Sequence, residues 1–166
     1  MNPPVSTAPH PVYVAFYRGR AKKRFSLARL GDWATRRVTR GPYSHCEIAV
    51  AIGEGMYRCY SSSFRDGGVR VKTMPLPADK WDVLPVDIPA QAVKAFYHRH
   101  AGTPYDWRGV LGFVFYNRDS RNRWFCSEYC AACIGFHEAW RISPSLLHAL
   151  LASPVLAAHP SILKPD

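Results

Sequence analysis

The stretch Pro42-Tyr43-Ser44-His45-Cys46-Glu47-Ile48-Ala49-Val50-Ala51-Ile52 decides the fold class. From His45 onward it alternates: Cys46, Ile48, Val50 and Ile52 share one face, and His45, Glu47, Ala49 and Ala51 share the other. That is the two-residue period of a strand. The Gly41-Pro42 break sets its start, and Gly53-Glu54-Gly55 turns the chain into a second strand over residues 56–62. Upstream, Val12, Val14 and Phe16 alternate with Tyr13, Ala15 and Tyr17, which predicts an earlier strand. Downstream, Gly67-Gly68 leads into a strand over 69–73, and residues 81–86 add one more.

After Pro89 the period lengthens. Val93, Phe96 and Tyr97 predict a helix that ends near Gly102, and residues 107–116 form an apolar, aromatic stretch. Residues 126–140 read as one helical stretch, and Ser143-Pro144 starts another by the cap-then-proline rule. Before the His45 strand, Ser26 caps a helix that turns Leu27, Leu30, Ala34 and Val38 inward and Arg29, Arg36, Arg37 and Arg40 toward solvent. Strands first and helices after them give an α+β fold, a small antiparallel sheet packed against helices. The expected organisation is a loose arm over 1–10, a single domain over 11–152 and a tail over 153–166.

At 48% apolar and 20% charged residues, the 166-residue chain can bury a sizeable core, which excludes a disordered linker protein. No apolar run approaches the roughly 18 residues that span a bilayer, so no stable membrane insertion is expected. The first residues lack the charge and apolar run of a secretory signal, so the expected location is the cytoplasm, with free thiols. Five cysteines, three of them at 126, 130 and 133, are not a disulfide framework. The net charge is +10. Most of it lies between Arg18 and Arg40, where nine bases face one acid, Asp32. Such a patch suits an anionic polymer or a substrate bearing carboxylates or phosphates. No nucleic-acid motif accompanies it, so nucleic acid is not the expected partner.

Chemistry concentrates in Trp124-Phe125-Cys126-Ser127-Glu128-Tyr129-Cys130. Cys126 stands where a helix begins, and unpaired N–H groups and the helix dipole favour a thiolate there. A thiolate nucleophile needs a base, and of seven histidines only His45 begins a strand. Glu47, two residues on and on the same face, is placed to orient the imidazole. The competing reading makes Cys126 a small buried hydrophobe, with His45 and Glu47 on the solvated side of a half-buried strand. Cys126, Cys130, Cys133 and His137 have zinc-ligand chemistry, but along one helix they spread over about 16 Å and cannot converge on one ion. No metal or other cofactor is expected, and Cys130, Cys133 and Ile134 are expected to pack.

The segment from Pro42 to Ile48, followed much later by Phe125-Cys126-Ser127-Glu128-Tyr129, resembles the circularly permuted NlpC-type (YiiX/YaeF-like) cysteine hydrolases of the papain-like superfamily. In that branch the histidine strand precedes the cysteine helix, as here. Tyr105-Asp106, Ser61-Ser62-Ser63 and Arg65-Asp66-Gly67-Gly68-Val69 are similar to short phage and prophage members. The resemblance implies a permuted papain-like fold and a cysteine peptidase or amidase that attacks an amide or ester carbonyl with Cys126, His45 acting as base and then acid. It implies cell-wall peptides of peptidoglycan as substrate, with acyl esters or thioesters as lesser options, and a phage particle or host cell as setting. Tyr43, Ser62 and Tyr105 are expected at the substrate cleft, and Trp107, Tyr116 and Trp124 are expected to give it apolar walls. Related families often take the third polar residue from the next strand, where this chain offers Tyr60, Ser61 and Ser62, so the orienter stays open between these and Glu47. A different class also fits: a non-catalytic binding or structural component that holds an anionic partner through the surface from Arg18 to Arg40.

Overall fold

The computed structural model describes residues 10–19, 36–37, 41–106 and 122–154. The helix expected from Ser26 lies outside these residues except at 36–37; the apolar stretch 107–116, most of the arm and the tail beyond 154 lie outside them as well. The described chain forms β1 (Val12–Tyr17), β2 (His45–Gly53), β3 (Met56–Ser63), β4 (Gly68–Pro75), β5 (Trp81–Val86), α1 (Ala90–His100), α2 (Cys126–Cys133) and α3 (Pro144–Leu151). All strand pairs are antiparallel, in the order β4-β3-β2-β1-β5. The architecture is α+β, and no helix among the described residues is long and apolar enough to cross a membrane.

Alternation sorts the sheet into two faces. Val14, Phe16, Cys46, Ile48, Val50 and Tyr60 pack against Val93 of α1, Cys126 to Ala131 of α2 and Leu147 of α3. Phe16, Ile48, Val93 and Leu147 are fully buried, each contributing about 1.5–3 kcal/mol of transfer free energy. The opposite face is buried at its centre. Ala15, Ala49 and Cys59 are fully buried there, packed against Tyr13, Tyr57, Trp81 and Val83. Small residues on this face leave space above the strands, and charged side chains use that space.

The structure corrects two expectations. The helix expected over 126–140 ends at Cys133, because Gly135 turns left-handed at φ 94°. Its N–H donates to the Ala132 carbonyl at 3.1 Å, and the Phe136 N–H donates to the Ala131 carbonyl at 3.0 Å, which closes the helix end. A short turn over Ala139–Arg141 follows before Ser143 caps α3, its Oγ accepting from the Leu146 N–H at 3.2 Å. Arg36, expected toward solvent, is half-buried; its guanidinium donates to the Gly19 carbonyl and to Ser44 Oγ at 3.2 Å. Arg18 is also engaged, pairing with Asp82 at 3.1 Å and donating to the Ala78 carbonyl at 2.6 Å.

The approach to the site depends on a close backbone contact. A Cβ on Gly68 would stand 2.1 Å from the Thr103 carbonyl oxygen, and main chain cannot move aside as a flexible side chain does. Here the Val69 N–H donates to Thr103 at 2.9 Å and the Tyr105 N–H to Gly67 at 3.0 Å. Gly68→Ala should therefore cost about 1–3 kcal/mol, read as a lower denaturant midpoint at unchanged slope. A variant as stable as the parent would show that the 102–105 segment is not held this tightly.

Candidate active site

Cys126 is the first residue of α2, and His45 is the first residue of β2. By strand parity His45 shares the Glu47 side of the sheet and Cys46 shares the helix side. Both stand at the start of the strand, where α2 also begins, so the Cys126 side chain neighbours both closely enough to act on their ionisation. The Glu128 carboxylate accepts from the Phe125 N–H at 3.2 Å, which fixes the first turn of α2. Ser127 Oγ donates to the Ile142 carbonyl at 2.5 Å and ties that turn to the loop before α3.

Histidine and glutamate meet directly, with His45 Nε2 3.1 Å from Glu47 Oε1. A carboxylate only accepts, so this contact places a proton on Nε2 and leaves Nδ1 for the thiol. Glu47 is buried, and a buried carboxylate requires a counter-charge. Arg70, on β4 and two strands away, supplies it. Its Nη1 donates to Oε2 at 2.8 Å and its Nη2 to Oε1 at 2.7 Å, a two-pronged contact. Arg70 Nε donates to Asp66 at 3.0 Å, and Asp66 accepts from Lys72 at 2.5 Å. The path across the sheet is open because Ser61 and Cys59 lie between Arg70 and β2.

The electrostatics follow from this packing. Burial disfavours a charge on His45, yet contact with Cys126 and Glu47 raises its pKa to about 10. Burial works against the Cys126 thiolate too; hydrogen bonds from Cys46 and His45 and the His45 charge overcome it and lower the pKa to about 5. Burial would raise Glu47, but Arg70 and His45 bring it to about 2. The neighbouring thiols move the other way: burial pushes Cys46 and Cys59 up, and Cys133 up to about 12. One cysteine is thus set apart as a thiolate beside an imidazolium.

The other expected site residues have structural partners. Ser62 is buried and donates to the Trp124 carbonyl at 2.7 Å, which also accepts from the Asp106 N–H at 3.0 Å. It fixes the chain just before Cys126. Tyr43 is buried against Phe16 and His148, its hydroxyl donating to Asp82 at 2.7 Å. Burial and the Asp82 carboxylate push that phenol up to about 12. Tyr105 is half-buried between Phe64 and Phe125, with ring centroids 5.8 Å from each, and so stands beside the residue that precedes Cys126. Among the alternative orienters, Ser61 donates to the Cys46 carbonyl at 2.7 Å and Tyr60 is buried on the helix side of the sheet beside Tyr97. Trp124 packs against Phe96 and His100; Trp107 and Tyr116 lie outside the described residues. Arg70 is a neighbour of the site that the sequence did not single out, and Asp66 was named only within the Arg65–Val69 motif. The signal was an arginine between Val69 and Val71, a charge in a strand. No protein-family model matches the chain, and no curated protein matches it.

Two outcomes are expected. Carbamidomethylation followed by mass spectrometry should find Cys126 modified fastest of the five cysteines, with reactivity persisting well below the ordinary thiol pKa of about 8.5 and fading near pH 5. Equal rates at all five would sink the thiolate assignment. Arg70→Leu leaves the Glu47 charge buried without its partner and should cost about 3–5 kcal/mol. Because Glu47 is depressed to about 2 against about 4.3 unfolded, the parent carries this stability above about pH 4.3 and loses it as pH falls toward 2. Urea melts of Arg70→Leu at pH 7 that overlay the parent would remove the ion pair from the account.

Proposed function

We propose that the chain is a thiol hydrolase of permuted papain-like type that cleaves amide or peptide bonds, with Cys126 as nucleophile, His45 as general base and acid, and Glu47 as orienter. The observation that carries this reading is the contact of His45 with Cys126 at a helix N-terminus on one side and with buried, ionised Glu47 at 3.1 Å on the other. A nucleophile, a base and a group that holds the base are the three parts acyl transfer requires.

The chemistry follows from the protonation states. The Cys126 thiolate attacks the carbonyl carbon, and negative charge develops on the carbonyl oxygen. First-turn N–H groups of a helix have no intrahelical acceptor and suit that oxyanion. The His45 imidazolium gives its proton to the leaving amine, and an acyl-thioester remains on Cys126. His45, now neutral, takes a proton from water; the hydroxide attacks the thioester, releases the acid and regenerates the thiolate. Glu47 keeps Nε2 protonated throughout and offsets the positive charge whenever the ring is imidazolium. Cell-wall peptides are the substrate this reading favours, because the resemblance of the His45 and Cys126 segments points to them.

Cys126→Ala should abolish release of new amines from purified peptidoglycan while leaving the melting temperature within a few degrees, since only one sulfur atom is removed. Full activity in this variant would overturn the nucleophile assignment. Undiminished reactivity of Cys126 with no turnover of wall peptides, esters or thioesters would favour a binding component instead.

A further inference from the structure

Away from Cys126, a groove of about 520 Å³ opens between α1 and the outer strands, lined by Arg58, Tyr60, Val71, Thr73, Lys94 and Tyr97, with Lys72 and His98 at its margin. That size suits a small molecule. Strand register builds the floor, since Tyr60 pairs with Val71 and Arg58 with Thr73, which puts all four on one face. Lys94, Tyr97 and His98 recur at helical spacing and form the wall. The Lys72 ammonium is held by Asp66, which leaves Arg58 and Lys94 as the permanent charges of the groove. Among the described residues no carboxylate lines it. Tyr97, half-buried, offers a ring and a hydroxyl, with the buried Tyr60 ring tilted by 60° beneath it at a centroid distance of 5.3 Å. Behind them is Tyr129, fully buried, whose hydroxyl has no partner among the described residues and whose ionisable neighbours include Tyr97 and Tyr60.

We propose that this groove binds a small organic phosphate, its phosphoryl oxygens on Arg58 and Lys94 and its flat or apolar body against Tyr97 and Val71. Two permanent cations match a phosphate monoester dianion better than a carboxylate monoanion, and a guanidinium fork meets two phosphoryl oxygens at once. The Tyr97 hydroxyl supplies a further donor. The site is distinct from the thiolate centre and does not depend on its chemistry.

Phenyl phosphate is a suitable probe, because it carries the dianion on a flat ring and nothing else. Calorimetric titration at low salt should show saturable one-site binding that weakens as ionic strength rises, with inorganic phosphate and benzoate each binding more weakly. Arg58→Gln and Lys94→Gln should each weaken binding by about tenfold without lowering the melting temperature. Cys126→Ala should bind the probe as the parent does, which separates this site from the proposed hydrolase. Absence of saturable binding, affinity unchanged by both substitutions, or benzoate binding as tightly as phenyl phosphate would each overturn the proposal.

Discussion

A carboxylate enclosed within a five-stranded sheet is the constraint around which the rest is arranged. Glu47 is 1% exposed, and an unpaired charge so placed would neutralise or unfold its surroundings. Arg70 prevents both, but it sits on β4 with β3 between. It reaches Glu47 because the intervening positions hold Ser61 and Cys59, and its Nη1 also meets the Cys59 carbonyl at 3.4 Å. Leucine or phenylalanine at either position would close that path. The small residues on this face, Ala15, Ala49, Cys59 and Ser61, therefore read as clearance for an ion pair as much as packing.

From that pair the charges alternate in both directions. Lys72, Asp66, Arg70, Glu47, His45 and Cys126 follow one another as cation, anion, cation, anion, cation and thiolate, each beside its opposite. A buried imidazolium and a buried thiolate are each unfavourable alone. Side by side, and with Glu47 beyond the imidazole, they stabilise one another. His45 contributes stability that is complete below its unfolded pKa of about 6.5 and is lost as pH rises through about 10. Cys126 contributes stability that is complete above about 8.5 and is lost as pH falls through about 5. The pair in its charged form thus occupies the interval between about 5 and about 10.

Much of this was legible in the sequence, and the unread parts have physical causes. A two-residue period fixes which side chains share a face, so β1, β2 and the company of His45 with Glu47 could be read directly, and β3 and β4 followed from the glycine turns before them. Whether that face meets solvent is not a property of the strand itself. His45 and Glu47 on an open, solvated side was a fair alternative, and it fails because Glu47 is enclosed and paired. Arg70 stayed hidden because its partner is set by register between strands, which alternation within one strand does not specify. The end of α2 was readable: Gly135 is the residue type that closes a helix, and the apolar continuation toward Trp140 concealed it.

Two residues expected at the substrate cleft, Ser62 and Tyr43, have partners within the fold. Ser62 and Tyr43 are polar, close in sequence to the histidine strand or to the strand after it, and chemically able to serve a cleft. Both are buried, and a buried hydroxyl must find a partner. Ser62 finds the Trp124 carbonyl, whose second acceptor position takes the Asp106 N–H. Two segments distant in sequence, the end of β3 and the chain after Gly102, are thereby fastened to the residue two before Cys126. The Tyr105–Trp124 bridge and the close contact of Gly68 with Thr103 act on the same stretch. Placing Cys126 at the start of a helix requires that the chain arrive there in one direction only, and these polar groups enforce that direction. The Ser62 hydroxyl is thus used in holding the chain that leads into Cys126, and the Tyr43 hydroxyl in holding Asp82.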